Sequence, residues 1–294
     1  VEKSSVKDVY ELIVSDLRFA EEHLPPEWPG NPGRPTVWAA RSLLAQVYLT
    51  MGGWPLKDES KYALAAAEAK EVIDHSPHGL LDNFADIWLL NNENNKEIVW
   101  AIQFCSVEKC NSPYFMTQGG YATMPSEESG WDDVFFEVGF YKRFPAGPRK
   151  DATFHTHFTN GVGFEQGSTR HPYIAKYRDG AEQGKPSYEN DYMTSRNMNY
   201  LRFAEVLLIY AEAQAMADGA PSKDAYKAIN RVRARAGLND LAPGLSQLAF
   251  RDSVVAERGW ELAAEFSRWF DLVRTEKVET VKALKDPLDM QPAV

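Results

Sequence analysis

Two widely separated pairs of helical segments each put small residues where two helices would meet, and this limits the chain to close-packed helical hairpins. In the first pair, Thr36 to Met51 carries Ala40, Leu44 and Tyr48 four apart and is followed by Gly52 as a stop. The segment Ser60 to His75 answers it with Tyr62, Ala65, Ala66, Ala69, Val72 and Ile73. Small side chains at such a seam shorten the interaxial distance, so the two segments pack as an antiparallel hairpin. The second pair runs from Tyr200 to Ala217, closed by Gly219, and from Ser222 to Ala236, closed by Gly237. Its Ala225, Ile229, Val232 and Gly237 repeat the spacing of Ala65, Ala69, Val72 and Pro77, a weak internal repeat. The distance between the copies excludes a continuous solenoid with a fixed period of roughly 34 residues.

The rest of the chain is arranged around these hairpins. Val6, Val9, Tyr10, Ile13, Leu17 and Ala20 mark an amphipathic helix from Ser5 to Glu22. The Pro/Gly stretch from Pro25 to Gly33 cannot continue it and reads as a loop. Glu97 to Phe104 alternates Ile98, Trp100, Ile102 and Phe104 onto one face, as a half-buried strand does. Cys105 to Ser195 is rich in Gly, Pro, Asn and aromatic residues without sustained periodicity, and so long an irregular stretch in a compact chain is usually a functional surface. A last long helix is expected from Ser246 to Val273, with Val254, Val255, Leu262, Phe266, Trp269, Phe270 and Val273 on its apolar positions. The expected fold is mainly α: tetratricopeptide-like hairpins with a loop-rich irregular region and a few short strands. We read it as a single domain over 1–294, with a first hairpin part (1–104), an irregular, ligand-facing part (105–195) and a second hairpin part (196–294).

Composition removes several function classes. A formal charge of −10 with no run of Lys or Arg on a helical face argues against nucleic acid and anionic lipid as partners. No stretch approaches the ~20 apolar residues of a membrane helix. Cys105 and Cys110 are spaced for a short disulfide loop, a pairing that spacing alone leaves open. His155 and His157 share one side of a possible strand but lack a third ligand in view, and Asp132-Asp133 and Glu127-Glu128 read as solvated acids rather than a calcium site. No metal and no cofactor is expected. Glu257, Glu261 and Glu265 recur along one helix face, and no His lies beyond Pro172 to make them a metal or acid/base site. We expect these carboxylates to pair with Arg231, Arg233 or Arg235.

The run Arg202-Phe203-Ala204-Glu205-Val206-Leu207-Leu208-Ile209-Tyr210-Ala211-Glu212-Ala213 resembles the R-[YF]-A-E-x-L-L-x-Y-A-E-A signature of the SusD/RagB family. Ala228 to Leu238, with Ile229-Asn230, Val232-Arg233 and Arg235-Ala236-Gly237, is similar to the family's I-N-x-V-R-x-R-A-G. Glu257-Arg258, Glu261-Leu262, Glu265 and Arg268-Trp269-Phe270-Asp271-Leu272-Val273-Arg274 follow its E-R-x-x-E-L-x-x-E-x-x-R-W-x-D-L-x-R. Upstream, Pro35-Thr36, Ala39-Ala40, Leu43-Leu44-Ala45 and Val47-Tyr48-Leu49 resemble the family's earlier helical repeat. The resemblance implies a SusD-like α-α superhelix and a non-enzymatic lipoprotein of the outer membrane's extracellular face, held by a lipid anchor. It further implies capture of oligosaccharide or polysaccharide for a SusC-like TonB-dependent transporter. Family members begin with a lipoprotein signal and end in an Asn-Pro-rich tail, so the expectation is a chain truncated at both ends.

Sugars offer flat apolar C–H faces and hydroxyl rims, which exposed aromatic rings flanked by amides and carboxylates can bind. Tyr114, Gln118, Tyr121, Trp131 and Asp132 supply that mixture in a loop setting and are the candidate ligand-binding residues, with no catalytic residue assigned. Trp131 and Tyr121 packed beneath the loops as a satellite core is the competing reading, and Trp28 and Trp54 are weaker candidates. Two other functions stay open on the sequence: a helical glycoside hydrolase or polysaccharide lyase, which needs suitably opposed carboxylates or a Tyr/His base, and a tetratricopeptide-like scaffold for protein partners.

Overall fold

The computed structural model describes residues 3–104, 124–128, 130–178 and 196–290. Its helices are α1 (Val6–His23), α2 (Val37–Gly52), α3 (Ser60–His75), α4 (Val138–Arg143), α5 (Pro148–Thr153), α6 (Phe203–Asp218), α7 (Lys223–Arg235), α8 (Gln247–Glu261), α9 (Arg268–Arg274) and α10 (Val278–Lys282). Short strands are β1 (Ile98–Ile102), β2 (Phe154–His155), β3 (Tyr173–Ile174) and β4 (Met198–Arg202), with β1 paired to β4 and β2 antiparallel to β3. The chain divides into two compact units, one of residues 1–82, 94–101 and 199–278, the other of residues 83–93, 102–198 and 279–294.

The first unit is a helical stack. Four of its helices start where side chains cap them: Ser5 and Asp8 form a capping box on α1, and Thr36, Ser222 and Ser246 accept from the third backbone N–H of α2, α7 and α8. Gly219 ends α6 in the left-handed region that favours glycine. α2 packs on α1 and α3, α3 packs on α6, and α6 packs on α7 and α8. The two hairpins read from the sequence as distant copies are therefore neighbours in space. Ala65 and Ala69 of α3 and Ala204 and Ala211 of α6 have no solvent exposure, as close approach of the two helices requires. Every residue of α6 from Phe203 to Ala215 is buried, which makes it the central helix of the stack.

The pattern differs from the sequence reading at three places. The segment expected to begin a helix at Tyr200 instead finishes β4, and α6 starts at Phe203, whose N–H donates to the Glu97 carbonyl at 2.8 Å. In β1, Val99 and Ala101 are buried while Ile102 is exposed, so both faces meet protein at one end and neither is a clean water face. The long last helix is broken: α8 stops at Glu261, Ala264 and Phe266 take positive φ, and α9 begins at Arg268. Gly259 admits this reversal, because a Cβ there would lie 2.7 Å from the Arg268 guanidinium, which donates to the Val255 carbonyl at 2.9 Å.

A buried ionic network ties the stack together. Arg202 donates to Glu97 (2.8 Å), Glu261 (2.9 Å) and Glu265 (2.7 and 2.9 Å), and Arg235 donates to Glu97 (2.8 Å) and Glu261 (2.6 Å). Arg233 reaches Glu257 at 3.0 Å, whereas Arg231 lies over the Phe203 ring instead. A second cluster joins Arg258 to Glu205 (2.9 Å) and Asp271 (2.8 Å), and Arg274 to Asp271 and Glu212. Burial lifts the Glu205 carboxyl above its ordinary range despite Arg258 beside it. Asp271 is also penalised by burial, but Arg258 and Arg274 outweigh that and hold it below the usual carboxylate range. Removing one partner of such a set leaves an uncompensated buried charge, so these residues hold the helices rather than meet a ligand.

Candidate functional site

In the second unit, the extended segment carrying Trp131 and Asp132 is fixed from below by acids. The turn Ser126–Glu128 places Glu128 inside, where its carboxylate accepts from Thr159 N (2.7 Å), lies 3.1 Å from His155 Nε2 and pairs with Arg178 at 2.8 Å. Burial alone would raise the Glu128 carboxyl, yet the His155 hydrogen bond and the Arg178 charge bring it below its ordinary value. Glu127 accepts from Ser168 N at 2.6 Å. Glu127 and Glu128, two of the four acids the sequence suggested were solvated, thus serve as acceptors within the fold.

Asp132 completes the clamp. Its Oδ1 accepts from Ser126 N (2.9 Å) and from the Tyr173 hydroxyl, and its Oδ2 accepts from Ser168 Oγ at 2.9 Å. It sits at positive φ, a conformation Asp tolerates better than most residues. Burial, reinforced by the Asp132 carboxylate, pushes the Tyr173 phenol well above its ordinary range, which keeps it a donor at neutral pH. Around this clamp Phe135 packs against His171 and Tyr173, and Phe158, Phe164 and Tyr173 form a small core beneath. His171 Nε2 lies 3.0 Å from Asp289, and Arg143 and Lys142 bind the Leu284 carbonyl and Asp286, so residues 284–289 are fastened to α4 and its surroundings.

Trp131 remains 45% exposed beside this rigid support. The structure therefore brings two of the candidate residues together with unequal tasks: Trp131 presents an indole at the surface, and Asp132 is occupied in holding the loop. Tyr114, Gln118 and Tyr121 lie outside the described residues, as do Cys105 and Cys110. His155 is turned to Glu128 and His157 to the Thr156 hydroxyl, and among the described residues no three His, Cys, Asp or Glu side chains gather as a metal site. Trp54 is 47% exposed, and Trp28 is half-buried with its indole N–H donating to Pro35 O at 2.8 Å. The supporting residues Ser168, Tyr173 and Phe135 escape a sequence reading, because each sits in a very short strand or an irregular stretch that shows no period.

Comparison with known proteins agrees with this fold. The family model described as the SusD family matches residues 159–291. A SusD-like protein of Bacteroides ovatus is 28% identical over 91% of this chain and 50% of its own length. Among solved structures, a SusD superfamily protein from Parabacteroides distasonis superposes with a TM-score of 0.75 at 28% identity, covering 93% of this chain and 59% of the other. Surface glycan-binding protein A from Bacteroides uniformis does so with a TM-score of 0.73 at 25% identity, covering 98% and 61%. The chain spans about half the length of the curated relatives it matches. The signature runs of α6, α7, α8 and α9, the helical stack they build and these matches together support the SusD/RagB family for this chain.

Proposed function

We propose that this chain is the glycan-capturing part of a non-catalytic protein of the outer-membrane surface. It holds oligosaccharide or polysaccharide on an aromatic platform and passes it to a SusC-like TonB-dependent transporter. The observation that carries the reading is Trp131, an exposed indole mounted on a loop that Glu127, Glu128 and Asp132 hold through hydrogen bonds within the fold. A ring fixed in this way loses little freedom when a sugar stacks on it, so more of the stacking energy appears as affinity. The family likeness supports the ligand class, since a relative of the same fold is named a surface glycan-binding protein. Tyr114, Gln118 and Tyr121 extend the platform in this proposal, with amide and phenol groups for the hydroxyl rim. Among the described residues no helix is long and apolar enough to cross a membrane, and attachment through a lipid is the proposed route to the surface.

The test is affinity electrophoresis of the purified chain against a panel of neutral polysaccharides, with a reducing-sugar assay on the same panel. Retardation without release of reducing ends supports capture. Release of reducing ends would replace it with the hydrolase reading. Trp131→Ala is expected to abolish most of the retardation with the far-UV circular dichroism unchanged, and full retardation by that variant would remove Trp131 from the site.

A further inference from the structure

Within the helical unit, the Pro/Gly loop after α1, the Pro77-His78 turn and residues 94–101 enclose a cleft of about 350 Å³. That volume lies inside the ~300–1,000 Å³ range of small-molecule sites. The loop cannot be helical, and two indoles fasten it: Trp28 Nε1 donates to Pro35 O at 2.8 Å, and Trp100 Nε1 of β1 donates to Gly33 O at 3.0 Å. Both indole N–H groups are thereby spent on backbone, so the two rings serve the cleft as apolar walls. Tyr200 braces Trp100 edge-on at 5.4 Å.

The cleft also carries charge that the fold does not neutralise. The exposed Arg34 guanidinium rests 4.4 Å from the centroid of the Trp28 ring, a cation–π contact that keeps it at the cleft. Lys96 is exposed on the same cleft, and neither side chain reaches a carboxylate among the described residues. His78 adds no charge near neutral pH. Burial depresses its imidazole pKa more than its contact with the Lys96 carbonyl raises it. Glu27 is the only acid among the lining residues. In a chain of net charge −10, whose other cations so often meet a carboxylate, two unpaired cations beside two indoles single this cleft out.

We propose that this cleft is a second binding site, for an acidic saccharide unit whose ring lies between the Trp28 and Trp100 walls and whose carboxylate or sulfate is held by Arg34 and Lys96. Indole walls suit the C–H face of a sugar ring, and a guanidinium and an ammonium suit an anionic substituent. The site stands on its own residues and does not depend on Trp131.

Isothermal titration of the whole chain with trigalacturonate, with a sulfated chondroitin disaccharide and with neutral maltotriose, each at low and high salt, tests it. Saturable binding of either acidic probe that weakens with salt is expected, and the probe that binds identifies the anionic group. Arg34→Gln combined with Lys96→Gln should weaken that binding by about tenfold or more, the effect of losing at least one charge-assisted contact. Trp131→Ala should leave it unchanged. Three results would overturn the site: no saturable binding of either acidic probe, equal binding by the double variant, or loss of binding with Trp131→Ala.

Discussion

Arg202 Nη1 stands 2.9 Å from the Glu261 carboxylate with both side chains shut off from solvent. The strand that leads into α6 is thereby fastened to the end of α8. The same guanidinium also serves Glu97 and Glu265, so one cation offsets three buried acids together with Arg235. Replacing it by methionine strands those carboxylates, and the expected loss is about 3–5 kcal/mol. Urea denaturation followed by circular dichroism measures this. Lysine should recover only part of the loss, because an ammonium cannot reproduce the fork that meets several carboxylates at once. A midpoint equal to wild type for Arg202→Met would show that the network adds nothing to stability.

At the α2–α3 corner, a Cβ on Gly52 would lie 2.5 Å from the Tyr62 ring, itself buried in the core. Gly52→Ala is expected to cost about 1–3 kcal/mol through overpacking. Pairing it with Tyr62→Leu, which clears the ring edge, should return part of that loss. A double-mutant cycle in urea reports the coupling, and simple additivity of the two changes would refute the clash.

Asp271 gives stability a dependence on acid. Its carboxyl is penalised by burial but drawn below its ordinary value by Arg258 and Arg274. The folded state therefore binds its proton less readily than the unfolded state. Stability from this group is complete above the unfolded pKa of about 3.9 and disappears as pH falls through the lower folded value. Asp271→Asn should be less stable than wild type at neutral pH, with the gap narrowing below about pH 4. Urea midpoints collected across that range check the sign, and a gap that widens in acid would contradict it.

For the Trp131 loop, Asp132→Ala removes the acceptor of Ser126 N, Ser168 Oγ and the Tyr173 hydroxyl together. Hydrogen bonds to a charged group are worth about 1.5–3 kcal/mol each when buried, and the partial exposure here points to the lower end. The expected result is a melting temperature lower by a few degrees and retardation on the polysaccharide that binds wild type weakened less than by Trp131→Ala. If the two variants lose retardation equally while Asp132→Ala keeps its melting temperature, Asp132 contacts the sugar directly.

The sequence made the helices legible because their caps and periods are local. Ser5, Thr36, Ser222 and Ser246 announce helix starts, and α2, α3 and α7 lie within a residue or two of the expected bounds. The pairing of Glu257 and Glu261 with Arg233 and Arg235 follows from helix faces and was equally readable. Glu97 and Arg202 were not, since they join that network from the turn before β1 and from the end of β4, far from it in sequence. The break after Glu261 was hidden because Phe266, Trp269 and Phe270 keep a helical apolar spacing, yet they are exposed in the fold. At the candidate site, Trp131 could be chosen from its loop setting. The role of Asp132 could not, because its partners Ser168 and Tyr173 reach it through tertiary contact alone.

The packing of α3 directly on α6 has an evolutionary consequence. The two helices are joined in sequence only through residues 76–202, so to them this is one long connection whose length matters little. Closure entropy grows only logarithmically, and doubling such a connection costs about 0.6 kcal/mol. Lineages can therefore lengthen or shorten that connection at small cost to the alanine seam between α3 and α6.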